Sequence, residues 1–127
     1  MDKADAKQVV LDFWQQMQRN DWAAASQLLA EDFVGHWPQS AEKIVGRDNF
    51  VQINANYPVQ GRWEFTIHQV VADGNKVVTD VSVTDGDLHA RAITFSTVVD
   101  RLITEQTEFW PDSMPAAAWR RQWVEIE

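Results

Sequence analysis

Halfway along the chain the spacing of the apolar residues changes, and that change restricts the fold more than any other feature. Before it, Val10, Phe13, Trp14 and Met17 recur every three or four residues, with Asp12, Gln15, Gln16 and Gln18 opposite, as on a helix over Ala6–Met17. From Trp63 onward the repeat is two, the period of a strand with one buried face. Trp63, Phe65 and Ile67 alternate with Glu64, Thr66 and His68, and Val77, Val81 and Val83 alternate with Val78, Asp80 and Ser82. Turn signals at Asp73-Gly74-Asn75, Asp85-Gly86 and Asp100-Arg101 divide the region into four strands of an antiparallel meander ending at Trp110. The third strand, within Asp87–Val99, is too long to lie flat on a small globule and is expected to bend or bulge.

Shorter elements fill the rest. Asn20-Asp21 interrupts the first helix, and Asp21 can cap a second one with Trp22, Ala25, Leu28 and Leu29 as its buried stripe. Phe33-Val34-Gly35-His36-Trp37 reads as a short edge strand ended by Pro38. Gly46 and Asp48 introduce a third helix, with Phe50, Ile53, Asn54 and Tyr57 on one stripe and Pro58 as its stop. Pro115 suits the first turn of a C-terminal helix bearing Trp119 and Trp123. A length of 127 residues supports one core, so residues 1–127 are expected to form a single α+β domain, N-terminal helices packed on a strongly bent antiparallel sheet.

Five stretches carry a further likeness: Asn20-Asp21-Trp22-Ala23-Ala24, Glu31-Asp32-Phe33-Val34, Val45-Gly46-Arg47-Asp48-Asn49-Phe50, Asp100-Arg101-Leu102-Ile103, and Thr107-Glu108-Phe109-Trp110-Pro111-Asp112. With the element order, they resemble the SnoaL-like, polyketide cyclase-like branch of the nuclear transport factor two-like superfamily. The resemblance implies a cystatin-like cone whose concave face meets the helices around a pocket, with dimerisation through the outer sheet face. It does not choose a reaction, because the superfamily holds cyclases, a ketosteroid isomerase, an epoxide hydrolase, dehydratases and binding modules. Thr79-Asp80-Val81-Ser82-Val83 lacks the arginine of the epoxide hydrolase's acid–arginine–acid relay. Pro111 separates Phe109-Trp110 from Asp112, so the branch's acidic position falls on either Glu108 or Asp112.

Composition removes several classes of function. Lys and Arg number 11 against 19 Asp and Glu, and the net charge of −8 repels nucleic acid and anionic membranes. With no cysteine there is no disulfide, thiolate metal site or Cys nucleophile. The start, Met1-Asp2-Lys3-Ala4-Asp5, lacks the basic and apolar regions of a secretory leader, and no run of eighteen apolar residues occurs, so a cytoplasmic location is expected. His36, His68 and His89 show no ligand-like spacing, and neither a Gly-x-Ser-x-Gly elbow nor a phosphate or dinucleotide loop is present. No metal or cofactor is therefore expected. Seven tryptophans and six phenylalanines point instead to a thick core, an aromatic cavity or an oligomer interface.

Glu108 is the candidate general base, since alternation along the last strand groups it with Gln106 and Trp110, and the resemblance aims one face of that strand into the cone. Among indoles its pKa would rise; on the outer face it would be an ordinary surface or dimer-contact residue. His36 is the candidate partner, although only one of His36 and Trp37 can look inward. Asn54 and Tyr57 offer an amide and a phenol to a carbonyl or hydroxyl, with capping of the third helix as the alternative for Asn54. Trp14, Trp37, Trp110 and Trp119 would wall the pocket, or serve as plain core. Asp80 is expected to point outward and pair with Arg91. Ile93 and Phe95 are expected on the outer face of a homodimer. The function expected is binding of a small hydrophobic organic ligand, with cofactor-free acid–base chemistry on a carbonyl-bearing substrate; a non-catalytic ligand-binding or dimerisation module is the alternative.

Overall fold

The computed structural model describes residues 3–59 and 61–127; Met1 and Asp2, on which the reading for a leader begins, lie outside them. Helix α1 (Lys3–Gln18) buries the expected stripe of Val10, Phe13, Trp14 and Met17. Its end is clamped by Asn20, which adopts the left-handed φ of 56° that asparagine tolerates. The Asn20 amide donates to the Trp63 carbonyl at 2.8 Å and accepts from the Trp63 N–H at 2.8 Å, tying the helix to the start of the sheet. Asp21 caps α2 (Trp22–Ser26), accepting from the Ala24 N–H at 2.9 Å.

Helix α2 stops before the second half of its expected stripe. Leu29 begins strand β1 (Leu29–Trp37), and the Leu28 carbonyl accepts from the Ile103 N–H at 2.8 Å. Pairing with the last strand recruits these residues, and tertiary pairing outweighs local helix propensity. Nor is β1 an edge. After a tight turn with Ala41 at φ 59°, β2 (Glu42–Val45) returns along it, and on its other side β1 runs parallel to β6 (Leu102–Phe109). The meander strands β3 (Glu64–Asp73), β4 (Lys76–Thr84) and β5 (His89–Val99) complete a sheet of order β2-β1-β6-β5-β4-β3. Its one parallel join makes the sheet mixed.

Register shifts between Leu29 and Val34, Ile67 and Gln69, and Thr97 and Val98 mark where β1, β3 and β5 depart from regular pairing, the local irregularity by which a sheet bends. Helix α1 crosses the concave face of the sheet, over Val77, Val81, Ala92 and Ile103. Helix α3 (Arg47–Asn56) packs on β1 and β2, entered through Gly46 at φ 85° and ψ 148°. On the convex face, Arg91 donates to Asp80 at 2.9 Å, as alternation predicts.

The C-terminal segment departs most from expectation. Instead of a helix with an inward face it forms one 3₁₀ stretch, Ala118–Trp123, in which no residue is buried. Trp119 and Trp123 are 74% and 71% exposed, so Trp119 does not wall the pocket. Four-residue spacing brings two side chains onto one helical face only over α-helical turns, which this short, tighter stretch does not make.

Candidate functional site

Helices α1 and α3 stand off the concave face where β1, β6 and β5 meet, leaving a cavity of about 630 Å³. Its walls are aromatic. Phe13 and Trp14 come from α1, Phe33 and Trp37 from β1, and Trp63 and Trp110 from the two ends of the meander. These residues face one another because α1 presents its three- and four-residue stripe to the sheet, while alternation turns every second strand residue inward. Gln39, Ser40, Glu42, Tyr57 and Asp112 also border the cavity and are exposed or half-buried, so they form its mouth.

Glu108 reaches the cavity from β6, with its partners on both neighbouring strands. Thr94, fully buried on β5, is its register partner and donates its hydroxyl to Glu108 Oε2 at 2.7 Å. The Trp37 indole N–H, from β1, donates to Oε1 at 3.0 Å. Burial holds the Glu108 carboxyl above the usual carboxylate range; the hydrogen bonds from Thr94, Trp37 and Trp110 oppose this only in part. Such a carboxylate is fixed in direction by neutral donors, with no cation to neutralise it. It is a stronger base than one in water.

His36 is not brought to it. The alternation that turns Trp37 inward turns His36 outward, where Nε2 lies 3.1 Å from Glu105 Oε2, although the residue touches the rim of the cavity. The sheet therefore separates the two residues expected to act together. Gln106 lies beside Glu108 on the inner face, buried, with its amide donating to Ser96 Oγ at 3.3 Å. Asn54 borders the cavity from α3, and its Nδ2 donates to the Phe50 carbonyl at 2.9 Å, leaving its carbonyl oxygen as the group it can offer a ligand. Tyr57, at the end of α3, is half exposed at the mouth, edge-on to Trp63 with ring centroids 5.7 Å apart. Trp14 borders the cavity while donating its N–H to Thr79 at 3.2 Å, which anchors α1 to β4.

Sequence reasoning overlooked Thr94. A signal existed, because placing Ile93 and Phe95 outward places Thr94 inward, and the β5–β6 turn then sets it opposite Glu108. No lysine or arginine borders the cavity among the described residues, and Arg91 is held on the far side of the sheet by Asp80.

The model of the SnoaL-like domain matches residues 10–106, and ends two residues before Glu108. No curated protein matches the chain. The crystal structure of a candidate ketosteroid isomerase from Kribbella flavida is 30% identical, with a TM-score of 0.91 over 98% of this chain and 91% of that one. An NTF-2 like protein of unknown function from Burkholderia xenovorans is 23% identical, with a TM-score of 0.82 over 100% and 98% of the two chains. Both matches are long enough to take in most of the segment after Asp112. An LEH-like epoxide hydrolase from M. tuberculosis shares the fold at 23% identity, with a TM-score of 0.70 over 86% of this chain and 84% of that one. The family match over most of the chain, the Kribbella likeness and the helix-covered bent sheet agree: this chain belongs to the SnoaL-like domain family of the NTF2-like superfamily.

Proposed function

We propose that this protein binds a small, largely apolar, carbonyl-bearing molecule in its aromatic cavity and moves a proton on it with Glu108, without a cofactor. The supporting observation is the Glu108 carboxyl itself, desolvated at the cavity wall and aimed by Thr94 and Trp37. In the step envisaged, the carboxylate removes a proton from the carbon next to the carbonyl. The electron pair of the C–H bond passes into a C=C bond and onto the carbonyl oxygen, giving an enolate. Glu108, now a carboxylic acid, returns the proton to the γ-carbon of the dienolate that a β,γ-unsaturated ketone gives, which yields the conjugated isomer, or to a leaving group on the β-carbon as the enolate re-forms its carbonyl, makes the α,β C=C bond and breaks the bond to that group, which is an elimination. Tyr57 is the cavity's candidate donor to the developing oxyanion, since the Trp110 indole is engaged by Glu108.

Isomerisation is the favoured version. The Kribbella relative bears the name of a candidate ketosteroid isomerase, and one carboxylate with neutral donors is what proton shuttling requires. Opening of an epoxide by the acid–arginine–acid route has less support, since no arginine borders the cavity among the described residues. Binding without turnover is the second reading, favoured by the Trp37 and Thr94 donors being already engaged by Glu108.

The test uses two probes, a β,γ-unsaturated steroid ketone for isomerisation and 5-nitrobenzisoxazole for carbon-proton abstraction by a carboxylate. Wild-type protein is expected to turn over at least one, and Glu108→Gln to lose about 10²–10⁴-fold in rate while still binding. Full turnover by Glu108→Gln would remove the role. Binding of the ketone, read by tryptophan fluorescence, with no turnover of either probe would leave the carrier reading.

A further inference from the structure

Glu108 is not the innermost polar side chain of the cavity. Two residues back on β6, Gln106 faces the same way and is 6% exposed, whereas Glu108 is half-buried and the chain beyond it leads out to Asp112 at the mouth. Side chains two apart on a strand share a face, about 7 Å from one another. The register partners of Gln106 hold it in place. On one side Ser96 of β5, itself buried, accepts from Nε2 at 3.3 Å. On the other lies Gly35 of β1, which turns inward with Phe33 and Trp37 and has no side chain to cover the amide. A Cβ on Gly35 would come within 3.2 Å of the Phe33 ring, so the space beside Gln106 is walled by that ring and, next to it, by Phe50, with centroids 6.1 Å apart.

The other arm of the Gln106 amide is unspent. Among the described residues nothing donates to its Oε1. No side-chain nitrogen or oxygen sealed from solvent lacks a partner among those residues, so this oxygen is open, and the space it opens on is the cavity. The interior donors are largely used up within the protein: Trp37 and Thr94 on Glu108, Trp14 on Thr79, and the Asn54 amide on the Phe50 carbonyl. Apart from Glu108, what the interior still offers a ligand is amide oxygen. A ligand that fills this space without a donor leaves a desolvated acceptor unpaired, and a charged donor would lose its hydration among phenyl rings.

We propose that the ligand carries a neutral hydroxyl that donates to Gln106 Oε1, at the end of the molecule opposite its carbonyl. This rests on the reading of the cavity as a proton-transfer site and gives the ligand a direction in it. The carbonyl lies toward Tyr57 at the mouth, the acidic C–H at Glu108, and the hydroxyl about 7 Å deeper. Gln106 is then a specificity-determining residue, since a site built around a hydroxyl rejects the analogue that lacks it. Asn54 is the lesser candidate, because it is half-buried on α3 and water can serve its oxygen.

Two ketones test the proposal. 4-Hydroxyphenylacetone has its hydroxyl one ring beyond an acidic methylene, and 4-methylphenylacetone has a methyl group in the same place. In titration calorimetry the hydroxyl ketone is expected to bind the wild type about 10–100-fold more tightly, and Gln106→Leu to close most of that gap. The side-chain carbonyl carbon of Gln106 in the wild type is expected to shift in NMR with the hydroxyl ketone and not with the methyl one, a readout that does not need the variant to fold. Equal affinities for the wild type, a preference that survives in folded Gln106→Leu, or a carbonyl carbon indifferent to the hydroxyl would overturn the proposal. Exchange of the methylene protons in heavy water reports on Glu108 separately. If the wild type exchanges both ketones, Glu108→Gln exchanges neither, and the two bind equally, proton transfer stands and the hydroxyl site falls. A preference that Gln106→Leu removes, with no exchange of either ketone, keeps the hydroxyl site and counts against Glu108 as the base.

Discussion

Glu108 sits between two opposed demands: burial favours its neutral form, while Thr94, Trp37 and Trp110 favour its charged one. Burial wins, so the folded protein holds this proton to a higher pH than the unfolded chain does. Between the ordinary glutamate value and the raised one the native state therefore binds more protons than the unfolded state, and stability must fall as pH rises through that window. Glu108→Gln removes the titration. In urea unfolding followed from acid to neutral pH, the variant is expected to lack that decline and to gain on the wild type as pH rises; parallel profiles would contradict it. Alternation was enough to group Glu108 with Gln106 and Trp110 in the sequence. It was not enough to decide between His36 and Trp37, because which of them turns inward depends on pairing with β6, more than sixty residues away. Thr94 escaped notice because a threonine in a strand is ordinary until its register partner is known.

Elements with a strong period were legible and short ones were not. Helix α1, helix α3 and the four meander strands follow from spacing and turn residues, whereas β2 is four residues long, bears Glu42 and Lys43, and exists because β1 offers it an edge. Leu29, the first residue of β1, reads as helix from the α2 stripe, and pairing with β6 made it strand. Gly46 is where local chemistry and fold meet most closely. Its φ of 85° with ψ of 148° is a conformation open in practice to glycine alone, and it turns the chain from β2 into α3. A Cβ there would meet nothing closer than the Glu31 carbonyl at 3.7 Å, so the cost of Gly46→Ala is backbone strain and not collision. The expected loss is about 1–3 kcal/mol in urea unfolding; an unchanged midpoint would show that the turn relaxes.

At the scale of the molecule, charge and shape select ligands together. The chain carries a net charge of −8, and its cavity is bordered by Glu42, Glu108 and Asp112 with no lysine or arginine among the described residues. A ligand bearing a carboxylate or phosphate meets like charge at the mouth and again inside, whereas an uncharged ligand of the same shape meets only indole and amide. Carboxylate analogues are expected to bind at least about tenfold more weakly than their neutral isosteres, with the gap narrowing as salt rises. Equal affinities by titration calorimetry would mean that the acids lie too far from the ligand to matter. The class of fold, the aromatic character and the acidity were all readable in advance. The enclosed volume was not, because it depends on how far α1 and α3 stand from a sheet whose bends arise from pairing shifts.

The account turns on a half-buried carboxylate set against the wall of an aromatic cavity, and the titration of the Glu108 side-chain carbon by NMR examines it most directly. Glu108 is expected to titrate well above the exposed glutamates of the same chain, and higher still in Thr94→Val, which removes a donor to the charged form. A Glu108 resonance that titrates together with the exposed glutamates, and is indifferent to Thr94→Val, would contradict it.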